Sequence, residues 1–301
     1  MKVPAEVFWH KLLKKDFMPF LFTLPLILIL SILVIYPITD NFFLSFSKLE
    51  GSFYQRRFIG FDNYLRLFRD SVFWQAMKNT LLYVCLTVLF GFLLGFLSAL
   101  VLNQQFRGRA FFRVAIMVSW IVPLIVSASV WKWLYQSDYG IMNDILRRLS
   151  LSKLCRSWLS DPDTALFSIA VAAIWQVYPF AALIFLTGMQ SIDKNLYDAS
   201  QVDGANHWQQ LLFITLPCLS PVTKIVLFIL LLWGLNAMTL VYVMTGGGPA
   251  NSTIITALYI YQKSFGFSRF EVAASCSVVL FIIALAFITP YVTLTTTEEK
   301  E

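Results

Sequence analysis

Charge is scarce in this chain of 301 residues: Asp, Glu, Lys and Arg together make up 13%, about half the roughly 25% of ordinary soluble domains. Nor is there a long polar segment in which a separate soluble domain could sit. Histidine is limited to His10 and His207, and the four cysteines, Cys85, Cys155, Cys218 and Cys276, lie 70, 63 and 58 residues apart. That spacing excludes close-paired metal and redox motifs, so no metal site is expected. Because Cys85 and Cys276 fall in apolar runs, the thiols are expected to be buried. A phosphate loop of the G-x-x-x-x-G-K-[ST] kind is also missing, since the Gly246–Gly248 run is followed by Pro249 and not by Lys. ATP hydrolysis by that route is therefore excluded. What the chain has instead is 58% hydrophobic residues, with 28 Phe, 9 Trp and 12 Tyr, the composition of a membrane protein. The net charge of +6 fits basic residues flanking membrane spans, and no nucleic-acid partner is expected.

About 20 apolar residues at 1.5 Å per residue cross a hydrocarbon core of about 30 Å. Uncharged stretches of 23, 28, 18, 29 and 26 residues lie between Asp16 and Asp40, Lys78 and Arg107, Arg113 and Lys132, Asp163 and Asp193, and Glu271 and Glu298. A sixth span sits inside the 38 uncharged residues between Lys224 and Lys263, ending before the glycines at 246–248 and Pro249. The expected architecture is an all-α polytopic membrane protein with six transmembrane helices, at 17–39, 79–104, 112–133, 165–189, 221–244 and 272–294. The first stretch exceeds the apolar core of a signal peptide and has no convincing cleavage site after it, so it is expected to remain as a helix.

Sidedness follows from the basic residues nearest the first span. Lys2, Lys11, Lys14 and Lys15 precede it and only Lys48 follows closely, while the tight loop Asn103–Arg113 adds Arg107, Arg109 and Arg113. The whole-chain total points the other way, with 13 Lys and Arg in the opposite loops against 9. The weight given to the first helix places residues 1–16, that loop, 190–216 and 295–301 in the cytoplasm. Residues 40–77, 134–163 and 245–270 are then external, with short amphipathic pieces at Asn63–Phe68 and Ile141–Leu149. In the second span Gly91, Gly95, Ser98 and Ala99 form a small-residue stripe suited to close helix packing.

No span carries an ionisable residue at midplane depth, where ion-coupled carriers and charged channels need one. Energy for transport would then come from another polypeptide. Three tryptophans depart from the usual interfacial belt: Trp120 near Pro123, Trp175 beside Gln176, Tyr178 and Pro179, and Trp233 beside Gly234 and Asn236. Flat rings, amides and proline-broken helices at one depth suit a polyhydroxylated solute, and equally suit plain bundle packing.

The polar island between the fourth and fifth spans, 191–217, has apolar residues at helical spacing (Leu196, Ala199, Val202) and then Gly204. A short helix, a turn and a second helical piece follow from this. Asp198-Ala199-Ser200, Asp203-Gly204-Ala205 and the closing Ile214, Leu216 and Pro217 resemble the EAA loop of binding-protein-dependent ABC importer permeases, with Asp198 in place of Glu and Ser200 in place of Ala. Gly60-Phe61-Asp62-Asn63-Tyr64, Tyr139-Gly140-Ile141-Met142-Asn143 and Thr245-Gly246-Gly247-Gly248-Pro249 resemble the sugar-importing branch, and the last resembles the first permease of a heterodimeric pair, the type related to the larger maltose permease.

The resemblance implies a type I ABC importer permease fold with its core over 79–294, without cofactor of its own. It implies a second permease, two ATPase subunits that bind ATP and Mg, an external solute-binding protein and a carbohydrate substrate, in a prokaryotic inner membrane. It implies that Tyr197, Asp198, Ala199, Ser200, Asp203, Gly204 and Ala205 couple to the ATPase. Carried over by position, the sugar-contacting stretches fall at Trp120, Leu124, Gln176, Val177, Phe180, Trp233, Gly234 and Ala237; with neighbouring Asn236, the residues favoured for the substrate pathway are Trp120, Gln176, Phe180, Trp233, Gly234 and Asn236. Two other classes stand beside this one. A self-contained secondary carrier or channel is disfavoured by the missing intramembrane charge, and a structural scaffold by the coupling-like loop.

Overall fold

The computed structural model describes residues 18–51 and 55–298. The expected cytoplasmic segment 1–16, with His10, and the last three residues lie outside them. The chain opens with α1 (Met18–Leu30), which continues through a π-helical turn (Ser31–Ile35) into α2 (Tyr36–Ser45). A two-stranded antiparallel hairpin follows, β1 (Ser47–Leu49) on β2 (Arg56–Phe58) with Ser47 opposite Phe58, a small departure from an all-helical chain. Next come α3 (Asp62–Arg69), α4 (Ser71–Asn103), α5 (Arg109–Ile121), α6 (Leu124–Leu134), α7 (Ile141–Arg148) and α8 (Pro162–Gln190). The second half comprises α9 (Lys194–Val202), α10 (His207–Gln210), α11 (Leu216–Cys218), α12 (Ser220–Leu235), α13 (Met238–Met244), α14 (Thr256–Tyr261) and α15 (Phe270–Glu298).

Among the described residues four helices are long and apolar enough to cross a membrane, and up to six if each of two bent pairs counts as one span. The helices do not stop where the uncharged stretches do. α4 begins at Ser71, ahead of exposed Lys78, and α2 runs past Asp40 to Ser45. Charge marks the edge of the hydrocarbon, while Asp70 marks the start of the helix by accepting the Val72 N–H at 2.9 Å. The stretch expected as one span at 112–133 is two helices, α5 and α6, crossing at 93°. Pro123 lacks the N–H to continue α5 and becomes the residue before α6. The stretch 221–244 is likewise divided at Asn236–Ala237 into α12 and α13, and α12 is bent by 68° from the helical segment 207–218 before it. Pro179, by contrast, sits buried inside an unbroken α8.

The bundle centres on α4 packed along α8. Tyr83, Thr87, Gly91, Gly95 and Ala99 recur every four residues on the buried face of α4. A Cβ on Gly95 would lie 2.5 Å from the Ala181 Cβ and 3.1 Å from both the Ala182 nitrogen and the Tyr178 oxygen. The small-residue stripe is therefore what lets the two backbones approach, the main source of helix association where lipid is as apolar as the side chains. Apolar packing gathers at two levels. One cluster joins Phe73, Tyr83, Trp131, Ile169, Leu240, Leu258 and Tyr259, and the other joins Ala99, Leu102, Ala181, Phe185, Leu219 and Leu230. Of the thiols only Cys276 is buried; Cys155 is partly covered, and Cys85 and Cys218 are exposed on the chain. An apolar neighbourhood in sequence does not distinguish a lipid-facing position from a core one.

Three buried asparagines tie down the segments that join the long helices. Asn63 donates to the Ser45 and Ser47 carbonyls (3.0 and 2.7 Å), holding the hairpin against the end of α2. Asn143 donates to the Ser137 and Arg156 carbonyls and accepts from the Arg156 N–H and the Trp158 indole. Asn79 of α4 donates toward the carbonyls of Asn251, Ser252 and Ile254. The segment after α13 is thereby folded back, and Ile254, Ile255, Leu258 and Tyr259 enter the core from what reads as a loop.

The same foldback holds a partly buried ion pair. Asp70 accepts from the Lys263 ammonium and the Tyr259 hydroxyl, both at 2.8 Å, with side-chain exposures of 23% for Asp70 and 17% for Lys263. Burial alone would raise the Asp70 pKa, but these hydrogen bonds, the Val72 N–H and the Lys263 charge together hold it below the ordinary carboxylate range. A lowered folded pKa contributes stability above the unfolded value of about 3.9 and loses it as pH falls through the folded value. Asp70→Asn is expected to destabilise by about 1–3 kcal/mol at pH 7. The gap from the parent protein should close as thermal unfolding is repeated below about pH 4.

Candidate functional site

Between the two apolar clusters lies a cavity of about 480 Å³, within the usual range for small-ligand pockets. α5, the break and α6 contribute Trp120, Val122, Pro123 and Leu124; α8 contributes Ala173, Gln176 and Val177; α12 and the second break contribute Leu230, Trp233, Gly234, Asn236 and Ala237. Both helix breaks open on this cavity, so the irregular backbone is enclosed by protein and not by lipid. Gln176, 8% exposed, donates from Nε2 to the Val122 carbonyl at 3.1 Å, a group that the break leaves without a helical donor. Its Oε1 is buried and has no hydrogen-bond partner, so an acceptor remains open beside the cavity. Asn236 is exposed and turns its amide N–H to the Leu232 carbonyl at 2.9 Å.

Seven of the eight positions carried over from the resemblance line this cavity, and so does Asn236. Phe180 is not among the lining residues. It stands behind the wall, 4.7 Å from the Trp233 ring and 5.6 Å from the Trp120 ring, and fixes the two indoles that do face the space. Trp175, grouped with them by depth, points elsewhere and packs edge-on against Trp131 at 5.8 Å. Gly234 lines the cavity and also meets α4, where an added Cβ would come within 3.2 Å of Val84 Cγ2 and 3.4 Å of Thr87 Oγ1. Tyr83 and Thr87 on α4 were not anticipated as lining residues. Their signal was present in the four-residue repeat that continues up from Ala99, Gly95 and Gly91.

The second candidate region is the polar island. α9 ends in a Schellman turn: the Gly204 N–H donates to the Gln201 carbonyl (3.1 Å) and the Ala205 N–H to the Ser200 carbonyl (2.9 Å), with Gly204 at φ +81°. Asn206 and Gln209 then form a reciprocal capping box that starts α10. Tyr197 and Ser200 lash this knob to its stalk, the first by a 2.9 Å contact with the Thr215 hydroxyl and the second by accepting from Gln210 at 3.0 Å. Asp198, Ala199, Asp203 and Gly204 face solvent, Ala205 is partly covered, and beside them Leu196, Val202, Trp208 and Phe213 are exposed, Val202 to 89%. An apolar surface of this kind on a polar protrusion marks a contact for another protein.

This chain resembles transport-system permeases along most of its length. The trehalose/maltose transport system permease protein MalF of Thermococcus litoralis is 32% identical over 272 residues, covering 90% of this chain and 91% of that protein. The sulfoquinovosyl glycerol transport system permease protein SmoG of Agrobacterium fabrum is 32% identical, covering 91% and 89%. A chain of a bacterial ABC transporter that imports the acidic polysaccharide alginate superposes with a TM-score of 0.83 at 25% identity, covering 96% of this chain and 98% of that one. Residues 91–295, from the close-packed face of α4 through both helix breaks and the knob to the last helix, match the binding-protein-dependent transport system inner membrane component, and this chain belongs to that family.

Proposed function

We propose that the chain is a permease subunit of an ATP-driven importer for a carbohydrate or related polyhydroxylated solute, working by alternating access. The observation that carries this reading is the union of a midplane cavity, walled by two indoles and two amides, with a rigid protruding knob on the same bundle. Indole faces pack on sugar C–H surfaces, and the open Gln176 oxygen accepts a hydroxyl. The relatives' names, trehalose/maltose, sulfoquinovosyl glycerol and alginate, support this class of solute.

In the same reading a second permease completes the pathway as a heterodimer, and an external solute-binding protein delivers the solute. Two ATPase subunits bind ATP and Mg, one of them docking on Tyr197–Ala205, so the chain holds no cofactor and is not itself an enzyme. The assembly resides in a prokaryotic inner membrane, with two of the six spans broken and both termini cytoplasmic. Affinity purification tests the proposal: an ATP-hydrolysing subunit is expected to co-isolate with the chain, and liposomes holding the chain alone should not move solute. Solute flux by the lone chain would replace this reading with a self-contained carrier.

A further inference from the structure

A group of positive charges at the start of α5 has no counterpart in the pathway or the knob. Arg107 is exposed, and Arg109 and Arg113 are partly covered at the end of the bundle that the proposed sidedness puts in the cytoplasm. Between Asp70 and Asp138 the sequence holds no Asp or Glu, and none of the three guanidinium groups has a carboxylate within ion-pair distance among the described residues. Their acceptors are neutral. With its amide turned so that the oxygen faces both, Gln190 at the end of α8 accepts from Arg109 at 3.0 Å and Arg113 at 2.7 Å, and Arg113 also donates to the Leu102 carbonyl at 3.3 Å. The Leu102 carbonyl at the end of α4 offsets only part of the charge, since a helix terminus offers about half a unit, and the Gln190 amide carries none. Each guanidinium has five donors, and the Nε atoms of Arg109 and Arg113 have no partner.

Next to these charges in the chain, an apolar groove of about 390 Å³ lies between α4 and α5 and takes in Phe106, the neighbour of Arg107. Leu97, Ser98, Val101, Phe106, Phe112 and Ile116 line it. A second, smaller recess of about 130 Å³ on the α8 side shares Leu102 and Ile116 with it and reaches Arg113. A cationic cluster with neutral acceptors, at the end of a span and joined through Leu102 and Ile116 to an apolar furrow, matches one kind of molecule: an anion that carries a hydrocarbon chain.

We propose that this site binds an anionic phospholipid, with the phosphate at Arg107, Arg109 and Arg113 and an acyl chain in the α4–α5 groove. The proposal rests on the cytoplasmic placement of the loop 104–108, which is read separately by thiol labelling of Gln105→Cys from either side of sealed vesicles. Bound lipid would brace the start of α5, the helix whose far end carries Trp120, and so make transport sensitive to the charge of the inner leaflet.

The test uses the intact importer purified with its partner subunits, delipidated and titrated with phosphatidylglycerol or phosphatidylcholine, with retained lipid counted by native mass spectrometry. Phosphatidylglycerol is expected to be held about a hundredfold more tightly, because three nearby charges each contribute about fivefold. Arg107→Gln, which touches nothing structural, should weaken retention about fivefold; Ser98→Phe should block the chain while leaving the charges in place. Equal retention of the two lipids, or no effect of either variant, overturns the site. Displacement by glycerol phosphate as readily as by phosphatidylglycerol overturns it in favour of a free phosphate site. An assembly that keeps no lipid there shows the groove to be covered by the second permease or by residues 1–17, although the basic residues among the latter oppose that cover.

Discussion

Gly204→Pro is expected to abolish solute-stimulated ATP hydrolysis, by about a hundredfold or more, in an importer that still inserts and assembles. Gly204 sits at φ +81° and its N–H donates to the Gln201 carbonyl. Proline fixes φ near −65° and has no N–H, so both halves of the Schellman turn are lost and the exit from α9 is redirected. Nothing lies within 4 Å of a Cβ built on Gly204. Gly204→Ala therefore meets only the left-handed strain of about 1–2 kcal/mol and should retain much of the coupling. A charge at exposed Ala199 acts on the face of the knob and not on its backbone, through desolvation at an apolar contact. Measured against the same ATPase, the Gly204→Pro and Ala199→Glu variants should both lose stimulation while Gly204→Ala keeps it. If the first two import at the parent rate, this loop does not transmit nucleotide-driven motion.

The gradation among these variants follows from what the sequence could and could not convey. Helix, turn and second helix were legible around Gly204 because glycine's positive φ and the spacing of Leu196, Ala199 and Val202 are local properties. The four continuous long helices were legible as existing, because apolar length is also local. Their ends were not: Asp70 and Ser45 are set by caps and by Asn63, whose partners lie 16 and 18 residues away. Pro123 and Pro179 look equivalent in sequence, yet one ends a helix and the other is absorbed; at the break the Val122 carbonyl takes its donor from Gln176 on another helix, which local sequence does not reveal. The same dependence on distant neighbours explains why Cys85, exposed on the chain, has the sequence surroundings of a core thiol, and why the segment after the three glycines reads as a loop. It is Asn79 on α4, more than 170 residues earlier, that folds that segment inward.

The cavity gives the second large effect. Trp233→Ala is expected to lower solute uptake at least tenfold while basal ATP hydrolysis persists, because the residue lines the cavity, is 38% exposed and has its ring held by Phe180, 4.7 Å away. Gln176→Ala should lose transport as well, but it also strips the donor from the Val122 carbonyl. A fall in thermal stability of about 1–3 kcal/mol is therefore expected for Gln176→Ala from the unpaired carbonyl, whereas any fall for Trp233→Ala comes from lost packing on Phe180 and should be recovered in Trp233→Phe. That difference separates a solute contact from a packing role within one set of variants. Arg at Gly234 is a poor positive control, since Val84 and Thr87 leave no room for it against α4; Asn236→Arg puts the charge on an exposed cavity wall and should block passage without disturbing that contact. If Trp233→Ala and Gln176→Ala both import with the parent rate and apparent affinity, the indoles and amides are bundle packing, and the solute is held by the second permease or passes by another route.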